Sequence, residues 1–161
     1  ANEASFCDQY CHWRYPGALP PVGGWAAATG NIAEPGMWLL FGIMFLWQVP
    51  HVLSIAWLCK DDYSSAGFKM LPKRDEKGYK TVFFSLICTL SLFPVTIAIY
   101  QFDISGMIFL VSSLIFAVGF LAYTIRFSLN RTKENAKKMM FASIAYLPLV
   151  WVAVFIDRFF V

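Results

Sequence analysis

The chain has 161 residues, 58% hydrophobic, 18% aromatic and 14% charged, with a formal charge of +3 and a mean hydropathy of +0.57. A soluble domain carries about 25% charged residues; this sequence lacks the polar cover that a water-facing surface needs, and its small charge excludes a nucleic-acid binder. The fold class left is all-α, a multi-pass transmembrane helical bundle in a lipid bilayer.

Residues 1–15 are polar and aromatic without a period and read as an irregular N-terminal segment, with the membrane domain occupying 16–161. Cys7, Cys11 and His12 form C-x-x-x-C-H, a longer spacing than the haem-attachment box, and no second ligand cluster follows. They read as unpaired thiols in a tail. Cys59 and Cys88 lie in or beside apolar runs, so no disulfide framework is expected. The chain starts with Ala and shows no cleavable signal pattern, which is expected of a processed chain or a fragment.

Residues 16–30 (PGALPPVGGWAAATG) are apolar but broken by prolines and glycines, the end of a helix or a bent interfacial piece too short to span. Full spans follow at 36–59, 81–101, 104–129 and 138–156, with Pro50, Pro94 and Pro148 inside three of them. Each reaches roughly the 20 residues needed to cross the hydrocarbon. Lys60, Lys69, Lys73, Arg74, Lys77 and Lys80 follow the first span, and Arg126, Arg131, Lys133, Lys137 and Lys138 edge the loop after the third. The connections near Asn31 and Phe102 carry no Lys or Arg. Both basic loops are therefore predicted to face the cytoplasm, or the matrix of a mitochondrion.

Chemistry gathers around the first span: Trp47, Gln48, Pro50 and His51, then Asp61, Asp62, Tyr63, Gly67, Lys69 and Pro72. If the helix continues to Asp62, the eleven-residue separation from His51 is close to three turns, placing both on one face with Gln48 one turn deeper. Ionisable groups within a span face a cavity or the bundle interior. His51 alone divides evenly between a functional group and a buried histidine bonded to backbone near Pro50. Asp61 and Asp62 are either solvated charges at a helix end or oxygen ligands for a divalent cation such as Mg²⁺. The cation reading is favoured, since adjacent carboxylates repel and the C-terminal dipole opposes them. Lys69, between Gly67 and Pro72, is the better candidate for an anion contact.

The run GALPPVGGWAAATG at 17–30 and the run FLWQVPHVLSIAWLCKDDYSSAGFKMLP at 45–72 resemble the protohaem IX farnesyltransferases, the haem O synthases of the UbiA superfamily of intramembrane prenyltransferases. The likeness implies the C-terminal portion of a helical bundle around a lipid-facing cavity, in which two acidic motifs hold Mg²⁺ and farnesyl diphosphate. Loss of diphosphate gives an allylic cation that a vinyl group of haem b attacks; water then completes haem O. Carried over, Asp62 becomes the Mg²⁺ ligand and Asp61 its assistant. Lys69 becomes a diphosphate contact, and His51 a catalytic residue near the haem or the cation. Trp47, Gln48 and Tyr63 become the pocket lining. The resemblance further implies a bacterial cytoplasmic or mitochondrial inner membrane, with haem A biosynthesis or cytochrome oxidase assembly proteins as partners.

The family's first acidic motif, N-x-x-x-D-x-x-x-D, is absent, as is the helix expected before GALPP. The 161 residues alone are therefore expected not to catalyse transfer unless another chain completes the bundle. Three other readings compete. One is a UbiA-type enzyme with a quinone or chlorophyll precursor as acceptor. Another is a bis-histidine haem subunit, disfavoured because His12 lies in the tail. The last is a non-catalytic anchor, which leaves the stripe of Gln48, His51 and Asp62 unexplained.

Overall fold

A computed structural model of the chain describes residues 17–60, 75 and 77–160. All regular structure among these is helical: α1 (Pro20–Thr29), α2 (Pro35–Leu58), α3 (Tyr79–Gln101), α4 (Met107–Leu129) and α5 (Lys133–Phe160). The last four are each long and apolar enough to cross a membrane. α2 packs on α3 and α5, α4 packs on the same two, and α1 lies against α2. Four helices thus close a ring.

The inward residues follow a narrow stripe. α5 buries Ala136, Met139, Ser143, Tyr146, Val150, Ala153 and Asp157, alternating steps of three and four. α4 buries Phe109, Ser113, Ala117, Phe120, Thr124 and Phe127, and α3 follows a similar rhythm from Thr81 to Ile99. A repeat near 3.5 residues keeps one seam facing its neighbour and packs helices at shallow crossings of about 20°. Serine, threonine and alanine on the seam let the backbones approach closely. Outside it, Ile115 is 63% exposed and Phe155 73%. Large apolar side chains turned outward from all four spans suit lipid and would be a liability in water.

Aromatic residues with a polar edge mark the ends of the spans. Trp38 and Tyr100 sit at the end of the α3–α4 turn, while Trp57, Tyr79 and Tyr123 sit at the basic end, as expected at bilayer interfaces. Two buried carboxylates hold helix starts. Asp75 accepts from the amides of Lys80 (3.0 Å) and Thr81 (2.9 Å) and from the Thr81 hydroxyl (2.7 Å). Asp157 accepts from the Ser105 hydroxyl (2.8 Å), the Gly106 amide and the Phe109 amide (3.2 Å). Each carboxylate satisfies donors that a helix N-terminus leaves orphaned, at the end where negative charge is favoured.

The expected span boundaries need adjusting. The apolar run at 16–30 resolves as the ten-residue α1, closed by Gly30 in the left-handed region (φ 69°). α4 starts at Met107 because Asp103 takes a positive φ of 53° and the chain turns there. α5 starts at Lys133, its charged first turns being helical and supported by a 2.6 Å Glu134–Lys138 ion pair. α2 ends at Leu58, with Cys59 as its C-cap. The expected shared face of His51 and Asp62 involves a position outside the described residues.

Candidate functional site

Polar atoms converge midway along α2 and α5. α2 is about 36 Å long at 1.5 Å per residue, and Trp47 lies at its centre, far from either interfacial belt. Its indole needs a partner there, and Nε1–H donates to the carbonyl oxygen of Ser143 on α5 at 2.6 Å. One turn on, His51 Nδ1 lies 2.8 Å from the Ser143 hydroxyl. The two rings stack, with centroids 4.9 Å apart and planes 13° from parallel. A single residue of α5 thus engages both.

Local sequence explains why the pair is presented this way. Trp47 and His51 are four apart, so they share a helix face. Pro50 removes the donor that the Leu46 carbonyl would otherwise receive, and Pro148 does the same for Ile144. Both helices carry a proline beside the site, where their backbone ladders are interrupted. Ser54 donates to the His51 carbonyl at 2.6 Å, adding a bond in the turn that follows Pro50. The adjacent core is aromatic and hydroxylic: Tyr146, one turn beyond Ser143, packs on Phe120 at 5.5 Å.

Gln48 is set differently. Its amide oxygen lies over Gly17, where an added Cβ would come within 2.5 Å. Its Nε2 is buried with no hydrogen-bond partner among the described residues. Gln48 therefore faces the segment leading into α1, whereas His51 and Trp47 face α5. Of the predicted site residues, the structure brings Trp47 and His51 together and sets Gln48 beside them on a neighbouring face. Asp61, Asp62, Tyr63 and Lys69 lie outside the described residues, as do Cys7, Cys11 and His12.

Where α2 leaves the membrane, a second cluster ties the basic side together. The Arg131 guanidinium lies 4.3 Å from the centroid of the Tyr79 ring and donates to the Lys77 carbonyl at 3.2 Å. Gly78 adopts φ 73°, and a Cβ there would stand 2.7 Å from the Trp57 ring. Lys60 sits 5.0 Å from the centroid of the Trp57 ring. The α4–α5 turn therefore grips the segment that enters α3, beside the end of α2.

Sequence reasoning missed Ser143, Asp75 and Asp157, and read Arg131 only as a loop cation. Ser143 had one sequence signal, its place in the three-four rhythm of α5. Among the described residues no group of three or more His, Cys, Asp or Glu could hold a metal ion. Asp75 and Asp157 are engaged as helix caps.

Four helices long and apolar enough to span, packed in a closed ring, define an integral membrane protein. The profile of the UbiA prenyltransferase family matches residues 13–145, and the chain belongs to that family. It is similar to proteins named protoheme IX farnesyltransferase. That of Opitutus terrae is 40% identical over 145 residues, covering 89% of this chain and 49% of the relative. That of Solibacter usitatus is 41% identical over 143 residues, with 89% and 49% covered. That of Cytophaga hutchinsonii is 37% identical over 147 residues, with 91% and 51% covered. The chain spans about half the length of these relatives. No solved structure matches it.

Proposed function

We propose that these helices form part of an enzyme that transfers the farnesyl group of farnesyl diphosphate to a vinyl group of haem b, giving haem O. The observation that carries the reading is the Trp47–His51 stack held from Ser143 at mid-membrane, within a chain 40% identical to a protein named for this activity. Breaking the allylic C–O bond releases diphosphate, and the new C–C bond to the vinyl carbon leaves a cation on the haem side. Water adds to that cation and one proton leaves.

The chain's own residues support parts of this sequence. A flat Trp47 face suits an isoprenoid or a passing carbocation. An apolar bundle suits a reaction that must admit only the water it consumes. Asp61 and Asp62 are the proposed Mg²⁺ ligands and Lys69 the proposed diphosphate contact, on the strength of the sequence resemblance. The described residues supply no metal cluster of their own, and no step is assigned to the ion. Placement in the bacterial cytoplasmic membrane, with haem A biosynthesis or cytochrome oxidase assembly proteins nearby, belongs to the same proposal.

The test is a chimera in which this chain replaces the matching half of the Opitutus terrae protein. Given farnesyl diphosphate, Mg²⁺ and haem b in membranes, it is expected to form haem O, read by mass spectrometry. A chimera that accumulates in the membrane yet prenylates only a hydroxybenzoate-type acceptor would move the assignment to another aromatic substrate. One that accumulates and prenylates nothing would leave the anchor reading.

A further inference from the structure

The Ser143 hydroxyl has one hydrogen, and its geometry states where that hydrogen goes. Ser143 Oγ lies 2.6 Å from the carbonyl oxygen of Met140, an atom that can only accept. The serine hydrogen is therefore committed to Met140, and towards His51 the oxygen has only a lone pair to offer. At 2.8 Å, Nδ1 of His51 must be the donor. The hydrogen sits on Nδ1, and Nε2, which has no hydrogen-bond partner among the described residues, keeps its lone pair when the ring is neutral. The ring stacks on Trp47, and turning it over would replace Nδ1 by a carbon beside Ser143 and lose the hydrogen bond. Trp47 is itself fixed to the Ser143 carbonyl.

We propose that Ser143 is a positioning residue for the transfer site, fixing His51 in its Nδ1–H form so that Nε2 is the proton acceptor of the reaction. The inference rests on the transfer activity proposed above. When water bonds to the haem-side cation, an O–H bond breaks, its electron pair stays on the new hydroxyl oxygen, and the proton goes to Nε2. Ser143 touches no reacting atom in this scheme. It acts through His51, as the group that orients a catalytic histidine does elsewhere. Neither the histidine motif nor hydropathy singles it out; only the approach of α5 to α2 does.

The tautomer can be read without any activity. The chain is produced with isotope-labelled histidine in lipid nanodiscs, and long-range proton–nitrogen correlation spectra are recorded. Its two histidines, His12 and His51, are separated with a His12→Gln variant. His51 is expected to be the Nδ1–H tautomer, to gain an Nε2–H population in Ser143→Ala, and to keep the Nδ1–H form in Ser143→Thr. An Nε2–H tautomer in the unmodified chain overturns the assignment, as does a Ser143→Ala spectrum identical to it. If Ser143→Ala does not accumulate, the unmodified spectrum decides. In the chimera, Ser143→Ala is expected to lower kcat about tenfold with the KM for farnesyl diphosphate held within about twofold, and Ser143→Thr to restore kcat. A folding defect alone would reduce the amount of active protein and leave Ser143→Thr without a rescue pattern. An Nδ1–H tautomer in a chimera that makes no haem O would refute the activity and leave the hydrogen-bond assignment standing.

Discussion

Single positions in this protein respond to substitution according to what a new atom would meet, and glycines show the contrast well. Gly78 combines a left-handed φ of 73° with a Trp57 ring that a Cβ would approach to 2.7 Å, and Arg131 Cδ closes the other side at 3.2 Å. A non-glycine residue in that region costs about 1–2 kcal/mol, and the ring must move as well. Gly78→Ala is therefore expected to destabilise by about 2 kcal/mol, read as a lower unfolding midpoint in detergent. Gly24 meets nothing within 4 Å and lies inside α1. Gly24→Ala should be neutral or stabilising, by up to about 1 kcal/mol. Equal losses at both positions would contradict the packing at the basic end of α2. Trp57 is an interfacial aromatic whose ring also serves as a wall for the turn into α3.

At the scale of elements, the helix starts depend on acidic residues remote from them in sequence. Asp157, near the end of α5, caps α4 across 51 residues of chain through the Gly106 amide. Asp157→Ala removes the acceptor for Ser105, Gly106 and Phe109 together inside a site that is 1% exposed. The expected loss is about 2–3 kcal/mol, with amide exchange accelerated at Phe109 and unchanged in the middle of α4. Uniform acceleration along α4 would mean that the carboxylate supports the whole bundle and not one helix start. Arg158, the next residue, donates to the Ile104 carbonyl at 2.8 Å, so the end of α5 holds the same turn twice.

These caps also mark the limit of what the sequence discloses. Hydropathy locates α2 to α5 because each is a long apolar run between charged or turn-forming residues, and in lipid such a run must be a helix. The first turns of α5 escape the same measure. Lys133, Glu134, Lys137 and Lys138 look like loop, yet an i,i+4 pair makes them good helix formers. Asp75 and Asp157 escape because their partners are not at capping-box spacing. His51, Trp47 and Gln48 are legible as polar residues inside a span, an expensive placement that requires a reason. Ser143 is not, since a serine in an apolar helix can satisfy itself on its own preceding turn, as the Met140 bond shows. What distinguishes it is the neighbour that arrives from α2.

For the whole molecule, orientation in the bilayer follows from where charge is allowed to sit. The α3–α4 turn, at 102–106, contains Asp103 and no lysine or arginine, while the α4–α5 turn is bounded by Arg126, Arg131 and Lys133. Retained cations near span ends set topology, so the α4–α5 turn is predicted to lie on the cytoplasmic side with the segment that enters α3. Arg131 bonds to Lys77, which places those two basic segments at the same end of the bundle. The prediction uses a chain whose four cysteines are replaced by serine. A single Phe102→Cys, at an exposed position, should react with a membrane-impermeant maleimide on intact bacterial cells. A single Asn130→Cys, also exposed, should react only after permeabilisation. The reverse pattern would put the Arg131 cluster and the end of α2 on the outer face. A soluble diphosphate made in the cytoplasm would then have no route to the segment that follows α2, and the proposed transfer would fail on topology even with the His51 site intact.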